Sequence, residues 1–208
     1  MNREEFLKHL KHGTRVLRGV RLEEAFRVVD RKDFVASDYE SEAYEDYPLF
    51  IGEGQTISQP TTVAFMLELL NVQLNERVLD VGAGSGWTTA LLAKLVGEKG
   101  EVWGIEIRPE LLTFGQKNLK KYGFKNAYIV PALPQVVGLP DKAPFKRILV
   151  SAAAHKIPEK LIEQLAVNGT MVIPVGDSVQ NLTSIEKLSD GELLTREYPG
   201  FAFVPFVR

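Results

Sequence analysis

Residues Arg77 to Ala93, RVLDVGAGSGWTTALLA, constrain the fold more than any other stretch of the chain. Val78-Leu79-Asp80-Val81 is an apolar run of strand length. Three glycines at alternate positions, Gly82, Gly84 and Gly86, follow it, and a helical pattern opens at Trp87. A strand, a tight turn and a helix N-terminus in succession make one unit of a parallel α/β sheet. Glycines in the turn permit positive φ and let a ligand approach the backbone, while the unpaired N–H groups of the first helical turn favour a negative group. A nucleotide-like ligand suits such a turn.

Spacing narrows the ligand further. A dinucleotide fingerprint needs G-x-G-x-x-G, but Trp87 stands where the third glycine would fall and glycine comes one residue early. That disfavours an NAD-dependent oxidoreductase. The next apolar run, Val102-Trp103-Gly104-Ile105, reads as a second strand and ends in Glu106. Glu106 lies about 20 residues after Gly86, the distance at which a carboxylate accepts bonds from ribose hydroxyls. Together the G-x-G-x-G turn and this glutamate resemble the S-adenosylmethionine site of the Rossmann-like methyltransferases. The bland alternative is a turn that only packs strand on helix, with a solvated Glu106 behind it.

Composition sets the outer limits. The 208 residues can bury one substantial core without forcing a second. A net charge of −2 without a long Lys/Arg run gives no electrostatic footprint for nucleic acid. With no cysteine, disulfides, thiolate nucleophiles and Cys-based metal sites are all excluded. The three histidines, His9, His12 and His155, are too scattered to suggest a metal. The opening MNREEFLKHLKHG is amphipathic without the apolar stretch of a signal peptide, and no later run approaches a membrane span. The expectation is a cytoplasmic monomer with no nucleic-acid, membrane or metal partner.

Taken in order, Asn2–Lys11 and Leu22–Val29 read as helices with apolar stripes. Residues 30–55 show no sustained period, but Phe34, Tyr39, Tyr44, Tyr47 and Phe50 argue against disorder. Ser58 before Gln59-Pro60 reads as the N-cap of a helix carrying Val63, Met66, Leu67 and Leu70. Pro109–Tyr122 is a helix closed by Gly123, and Ala127–Val130 a third strand. Residues 131–145 form a proline-punctuated loop. Arg147–Ser151, Pro158–Ala166 and Thr170–Val175 read as strand, helix and strand. Asn181–Leu188, the Asp190-Gly191 turn, Glu192–Tyr198 and Phe201–Val207 read as antiparallel strands. The predicted fold is α/β: a mostly parallel, doubly wound Rossmann-like sheet with helices on both faces, an N-terminal helical extension and a C-terminal antiparallel hairpin. Within a single domain, 1–57 would be the helices and substrate-side loop, 58–176 the cofactor-binding core and 177–208 the antiparallel strands.

The run Ala43 to Pro60, AYEDYPLFIGEGQTISQP, carries a more specific resemblance. Its Gly-x-Gly-Gln-Thr-Ile-Ser-Gln-Pro order is similar to the hallmark of the protein-L-isoaspartate (D-aspartate) O-methyltransferases, and no general structural rule demands it. The likeness continues in VDRKDFV (29–35), in APF and SAAAHKIPEKLIEQL (143–165), in VIPVG (172–176) and in the terminal FVPFV (203–207). It implies the class I methyltransferase fold and S-adenosyl-L-methionine as methyl donor, with S-adenosyl-L-homocysteine as product and no metal. It also implies methylation of the free carboxylate of isoaspartyl residues in damaged proteins. By the same resemblance Ser58 and Thr56 are catalytic. Gln55, Asp80, Gly82, Ala83, Gly84, Gly86, Glu106 and Ile107 border the cofactor, and Ile57, Ser58, Ser151, Ala152, Ala153, Val204 and Val207 border the substrate. An exposed backbone edge at residues 151–154 and 204–207 would hold a peptide by main-chain bonds; an ordinary sheet edge is the other reading.

Three departures keep a second function open. Where the family has Gly-Asp-Gly after the third strand, this chain has Val130-Pro131-Ala132-Leu133-Pro134; Lys146 replaces an aspartate before the fourth strand; and Glu53 sits between Gly52 and Gly54, near an anionic substrate that it could repel. The alternative is a diverged S-adenosylmethionine-binding relative that is weakly active, non-catalytic or directed to another substrate.

Overall fold

A computed structural model describes residues 1–206. Its centre is a seven-stranded sheet in the order β5-β4-β3-β6-β7-β8-β9, formed by β3 (Arg77–Val81), β4 (Glu101–Glu106), β5 (Ala127–Pro131), β6 (Phe145–Val150), β7 (Leu165–Gly176), β8 (Gln180–Lys187) and β9 (Leu193–Phe201). The pairings among β3, β4, β5, β6 and β7 are parallel, and β8 and β9 add antiparallel neighbours. Strand order reverses at β3, so a crevice opens beyond the carboxyl ends of β3 and β6.

Alternation along the strands assigns the two faces. Val78, Val102, Ile129, Leu149 and Val172 enter a core built with α1 (Arg3–Lys8), α2 (Val20–Val28), α3 (Pro60–Leu70), α4 (Trp87–Val96) and α5 (Pro109–Lys120). Leu79, Val81, Ile105, Ile148 and Met171 point the other way, onto Leu161 and Leu165 at and just after α6 (Glu159–Gln164). Helices cover both faces, five against one, and the partly buried Val137 and Leu139 of the proline-rich loop fill in beside α6. Leu91 and Leu92 on α4 are fully buried, each stabilising the sheet–helix contact by about 1.5–3 kcal/mol. No helix among the described residues is long and apolar enough to cross a membrane.

Four expectations change. Residues 30–55, read as irregular, contain two 3-10 turns (Arg31–Phe34 and Ser37–Glu42) and the first strand of a small antiparallel hairpin, β1 (Leu49–Gly52) with β2 (Gln55–Ile57). The first helix turns into a π-helical segment at His9–Gly13. Ser58 is not the N-cap of α3: Gln59 occupies that position, and Asp46 caps the helix from a distance through its Oδ1, which accepts the Thr61 N–H at 2.9 Å. Finally, the segment after Phe201 leaves the antiparallel sheet instead of extending it. Pro205 forms a parallel bridge with Ala153, with Ala153 N–H donating to Val204 O and Phe206 N–H to Ala153 O, both at 2.8 Å. The expected edge for a peptide at Ala153 is therefore already occupied by the chain's own tail. Val207 lies outside the described residues.

Candidate active site

The crevice is a cleft of about 1050 Å³, open solvent at its mouth included. One wall is the turn after β3. Gly82, Gly84 and Gly86 have φ of 81°, 50° and 86°, values an L side chain rarely adopts. A Cβ on Gly84 would come within 3.3 Å of Ile51 Cδ1 and narrow the space between the turn and the β1–β2 hairpin. Behind the turn, α5 approaches so closely that a Cβ on Gly115 would lie 2.6 Å from the Gly84 carbonyl oxygen. Gly115 thus shapes the site without lining it, a role that its place on a buried helix face only hints at.

Glu106, at the end of β4, is buried but faces the cleft. Its Oε2 accepts the Gly84 N–H at 2.9 Å, and its Oε1 accepts the N–H groups of Ile107 and Arg108 at 2.8 and 3.0 Å. A carboxylate has about four acceptor directions, so these three donors fix it and leave capacity for a hydroxyl from the cleft. A vicinal diol would find here a pre-oriented, charged acceptor.

Asp80 is placed differently. It is fully buried beneath the turn and absent from the cleft wall; Oδ2 accepts from the hydroxyls of Thr88 and Thr89, both at 2.7 Å, and Oδ1 has no partner. Burial pushes its carboxyl up to about 6, against the two threonine bonds and with a smaller contribution from the charge of Glu106. Asp80 is a prop for the turn and the start of α4, not a wall of the cleft.

Gln55, Thr56, Ile57 and Ser58 line the cleft from the β1–β2 side with Val204, Pro205 and Phe206 of the tail, while Ser151 and Ala152 follow β6 beside the glycine turn, Ser151 N–H donating to Val81 O at 2.9 Å. The hydroxyl of Ser58 makes no hydrogen bond within the described residues, while its carbonyl accepts from Arg31 Nη2 at 3.2 Å. Asp46 explains the free hydroxyl: it also accepts from Thr61 Oγ1 at 2.6 Å and pairs with His9 Nε2 at 2.9 Å, so the helix start needs nothing from Ser58. Burial alone would raise the Asp46 carboxyl, but the Thr61 bonds and His9 together hold it below its ordinary range. Of the sequence-predicted residues, Gln55, Thr56, Ile57, Ser58, Gly82, Ala83, Gly84, Glu106, Ile107, Ser151, Ala152 and Val204 meet around this one cleft; Asp80, Gly86 and Ala153 stand behind it.

The departures also find places. Ala132, Leu133, Pro134, Val136 and Val137 make an apolar wall beyond Glu106, anchored by Ala132 N–H on the Glu106 carbonyl at 2.8 Å. Lys146 turns away and donates to Val167 O at 3.0 Å. Glu53, at the tip of the β1–β2 hairpin, is outside the cleft wall and faces Arg108 across 3.8 Å, a partly exposed counter-charge. The sequence reading missed Trp87, Arg108 and Leu111 as lining residues.

A glycine turn and a ribose-type acceptor over a parallel sheet, with a free hydroxyl on the facing wall, define a Rossmann-like methyltransferase. Comparison with known proteins gives the branch. Residues 1–208 match the family model described as Protein-L-isoaspartate(D-aspartate) O-methyltransferase. A protein-L-isoaspartate O-methyltransferase of Methanopyrus kandleri is 46% identical over 206 residues, covering 99% of this chain and 91% of its own. One from Thermococcus onnurineus is 43% identical over 194 residues, covering 92% and 87%. A crystal structure from Plasmodium falciparum, described as a protein-L-isoaspartate O-methyltransferase in complex with S-adenosyl-L-homocysteine, superposes with a TM-score of 0.87 at 27% identity, covering 99% and 98%. The chain belongs to the protein-L-isoaspartate (D-aspartate) O-methyltransferase family.

Proposed function

We propose that this enzyme methylates the free carboxylate of L-isoaspartyl and D-aspartyl residues in damaged proteins, with Ser58 seating the acceptor and Glu106 with the glycine turn holding the methyl donor. The observation that carries the assignment of roles is the unengaged Ser58 hydroxyl on the wall facing Gly84 and Glu106. When bound, S-adenosylmethionine supplies a methyl group on a sulfonium, which an ionised carboxylate can accept without a base. A carboxyl group is already ionised at neutral pH, so the protein's task is alignment. A hydroxyl donor on a fixed wall can contribute several kcal/mol to that alignment. Gln55 and Thr56 lie on the short strand β2, which ends one residue before Ser58, and extend the polar wall.

The diverged-relative reading loses two of its three supports, because Lys146 and Glu53 lie off the cleft wall. The proposal extends to a cytoplasmic monomer without a nucleic-acid partner; the net charge of −2 supports the last of these. Residues 1–57 then contribute the substrate-side loop, and 58–176, which begins with Ser58, the cofactor-binding core.

The test is transfer of labelled methyl to an isoaspartyl peptide, with the aspartyl peptide as control. Base-labile label on the isoaspartyl peptide alone is expected; absence of transfer by a protein that binds S-adenosylhomocysteine overturns the function. Ser58→Ala is expected to lower transfer far more than S-adenosylhomocysteine affinity, and to change stability by less than about 0.5 kcal/mol, since Asp46 caps α3.

A further inference from the structure

Arg31 is a charged side chain only 1% exposed, and among the described residues no carboxylate forms an ion pair with it. An isolated buried cation is expensive unless its donors are met. Carbonyls meet those of both Nη atoms, while Nε is buried without a partner among the described residues. Nη1 donates to Ala43 O at 2.8 Å and Glu45 O at 3.2 Å, and Nη2 to Tyr47 O at 3.0 Å and Ser58 O at 3.2 Å. Three of these acceptors lie in the turn that also carries Asp46, the remote cap of α3; the fourth is the main chain of Ser58 itself. The guanidinium carbon lies 5.4 Å from the ring centroid of Trp87, the first residue of α4 and a lining residue of the cleft. Burial draws the guanidinium down to about 10 while the charge of Asp46 acts in the opposite sense, so it remains a cation at neutral pH.

Resting on the reading that Ser58 seats the acceptor, we propose that Arg31 is a positioning residue for methyl transfer: it sets the Ser58 main chain, and so the direction of the Ser58 hydroxyl, against the start of the donor-binding helix. The planar fork matters as much as the charge. One guanidinium ties the 43–47 turn, the Ser58 segment and the Trp87 face together, which a lysine ammonium on a flexible stem cannot do in the same geometry. The residue touches neither reactant. Its effect passes through Ser58.

The experiment is a double-mutant cycle with Arg31→Lys and Ser58→Ala, all rates expressed per S-adenosylhomocysteine-binding site counted by calorimetry, so that loss of folded protein does not enter. Arg31→Lys in the wild-type background is expected to lower kcat/KM for an isoaspartyl peptide at least about tenfold while changing the dissociation constant for S-adenosylhomocysteine less than about threefold. In the Ser58→Ala background the same change is expected to alter kcat/KM less than about twofold, because the hydroxyl it aims is gone. A second, non-catalytic readout is the affinity of the isoaspartyl peptide for the S-adenosylhomocysteine-bound enzyme, expected to fall in Arg31→Lys. Equal losses in both backgrounds, an unchanged kcat/KM, or a preparation with no S-adenosylhomocysteine-binding sites at all would each overturn the proposal, the last because Arg31 would then hold the whole fold. If Ser58→Ala alone leaves transfer unchanged, it is the acceptor assignment that fails.

Discussion

Glu106→Gln separates the ribose acceptor from a merely packed side chain. The carboxylate takes three backbone N–H groups, one on Oε2 from Gly84 and two on Oε1 from Ile107 and Arg108. A glutamine must replace one oxygen by a donor. Turning the amide nitrogen toward Ile107 and Arg108 sacrifices two bonds, so the better orientation points it at Gly84 and sacrifices one. A buried donor left facing another donor costs about 1–3 kcal/mol, and loss of the charged acceptor for a ribose hydroxyl removes about the same again, since hydrogen bonds to charged groups are worth about 1.5–3 kcal/mol. The first cost falls partly on the free protein as a looser turn, the second only on the complex. We expect S-adenosylhomocysteine affinity, measured by titration calorimetry, to fall by about 10- to 100-fold, which is 1.4–2.7 kcal/mol. The melting temperature of the free protein should fall modestly. An affinity within about threefold of wild type would refute the reasoning, since the only charged acceptor on that wall would then be doing nothing for the ligand.

Three further outcomes follow from the same geometry. Gly115→Ala places a Cβ 2.6 Å from the Gly84 carbonyl; despite the better helix propensity of alanine, thermal denaturation should show about 1–3 kcal/mol of destabilisation with weaker cofactor binding, and unchanged values would contradict the close approach of α5. Asp80, with its carboxyl pushed up to about 6 by burial, holds more protons folded than unfolded between about pH 4 and 6, so its contribution to stability declines as pH rises through that window and stays low above it. Relative to wild type, Asp80→Asn should therefore gain about 2 kcal/mol between pH 4 and pH 7 in denaturant titrations; a pH-independent difference would show that Asp80 titrates normally. Glu53→Gln should leave the KM for an isoaspartyl peptide within about twofold, as expected for an exposed pair with Arg108, and a large drop in KM would restore the repulsive role.

The parts of the molecule written in short-range chemistry were legible in the sequence. Glycines 82, 84 and 86 carry positive φ because the turn demands it, the strand–helix alternation gave the parallel core, and Asp190-Gly191 marked the β8–β9 connection. What stayed hidden depends on partners distant in sequence. Strands of four and three residues around Gly52-Glu53-Gly54 are too short to show a period, although all three turn residues have positive φ. Ser58 matched an N-cap locally, yet the cap comes from Asp46. Phe201–Val207 alternates like a strand, but only Phe201 stays in β9, and Pro205 finds its partner at Ala153. Arg31, inside DRKD, has the appearance of a solvated charge; nothing local says that four carbonyls enclose it.

The walls of the cleft come from six separate stretches of chain, from Ile51 in the β1–β2 hairpin to Phe206 in the tail. A ligand that touches all of them binds the assembled fold in preference to the unfolded chain. Occupancy then becomes a stabiliser by mass action, about 2.7 kcal/mol when the ligand stands at 100 times its dissociation constant. By this architecture the supply of the methyl donor bears on the stability of the enzyme as well as on its rate.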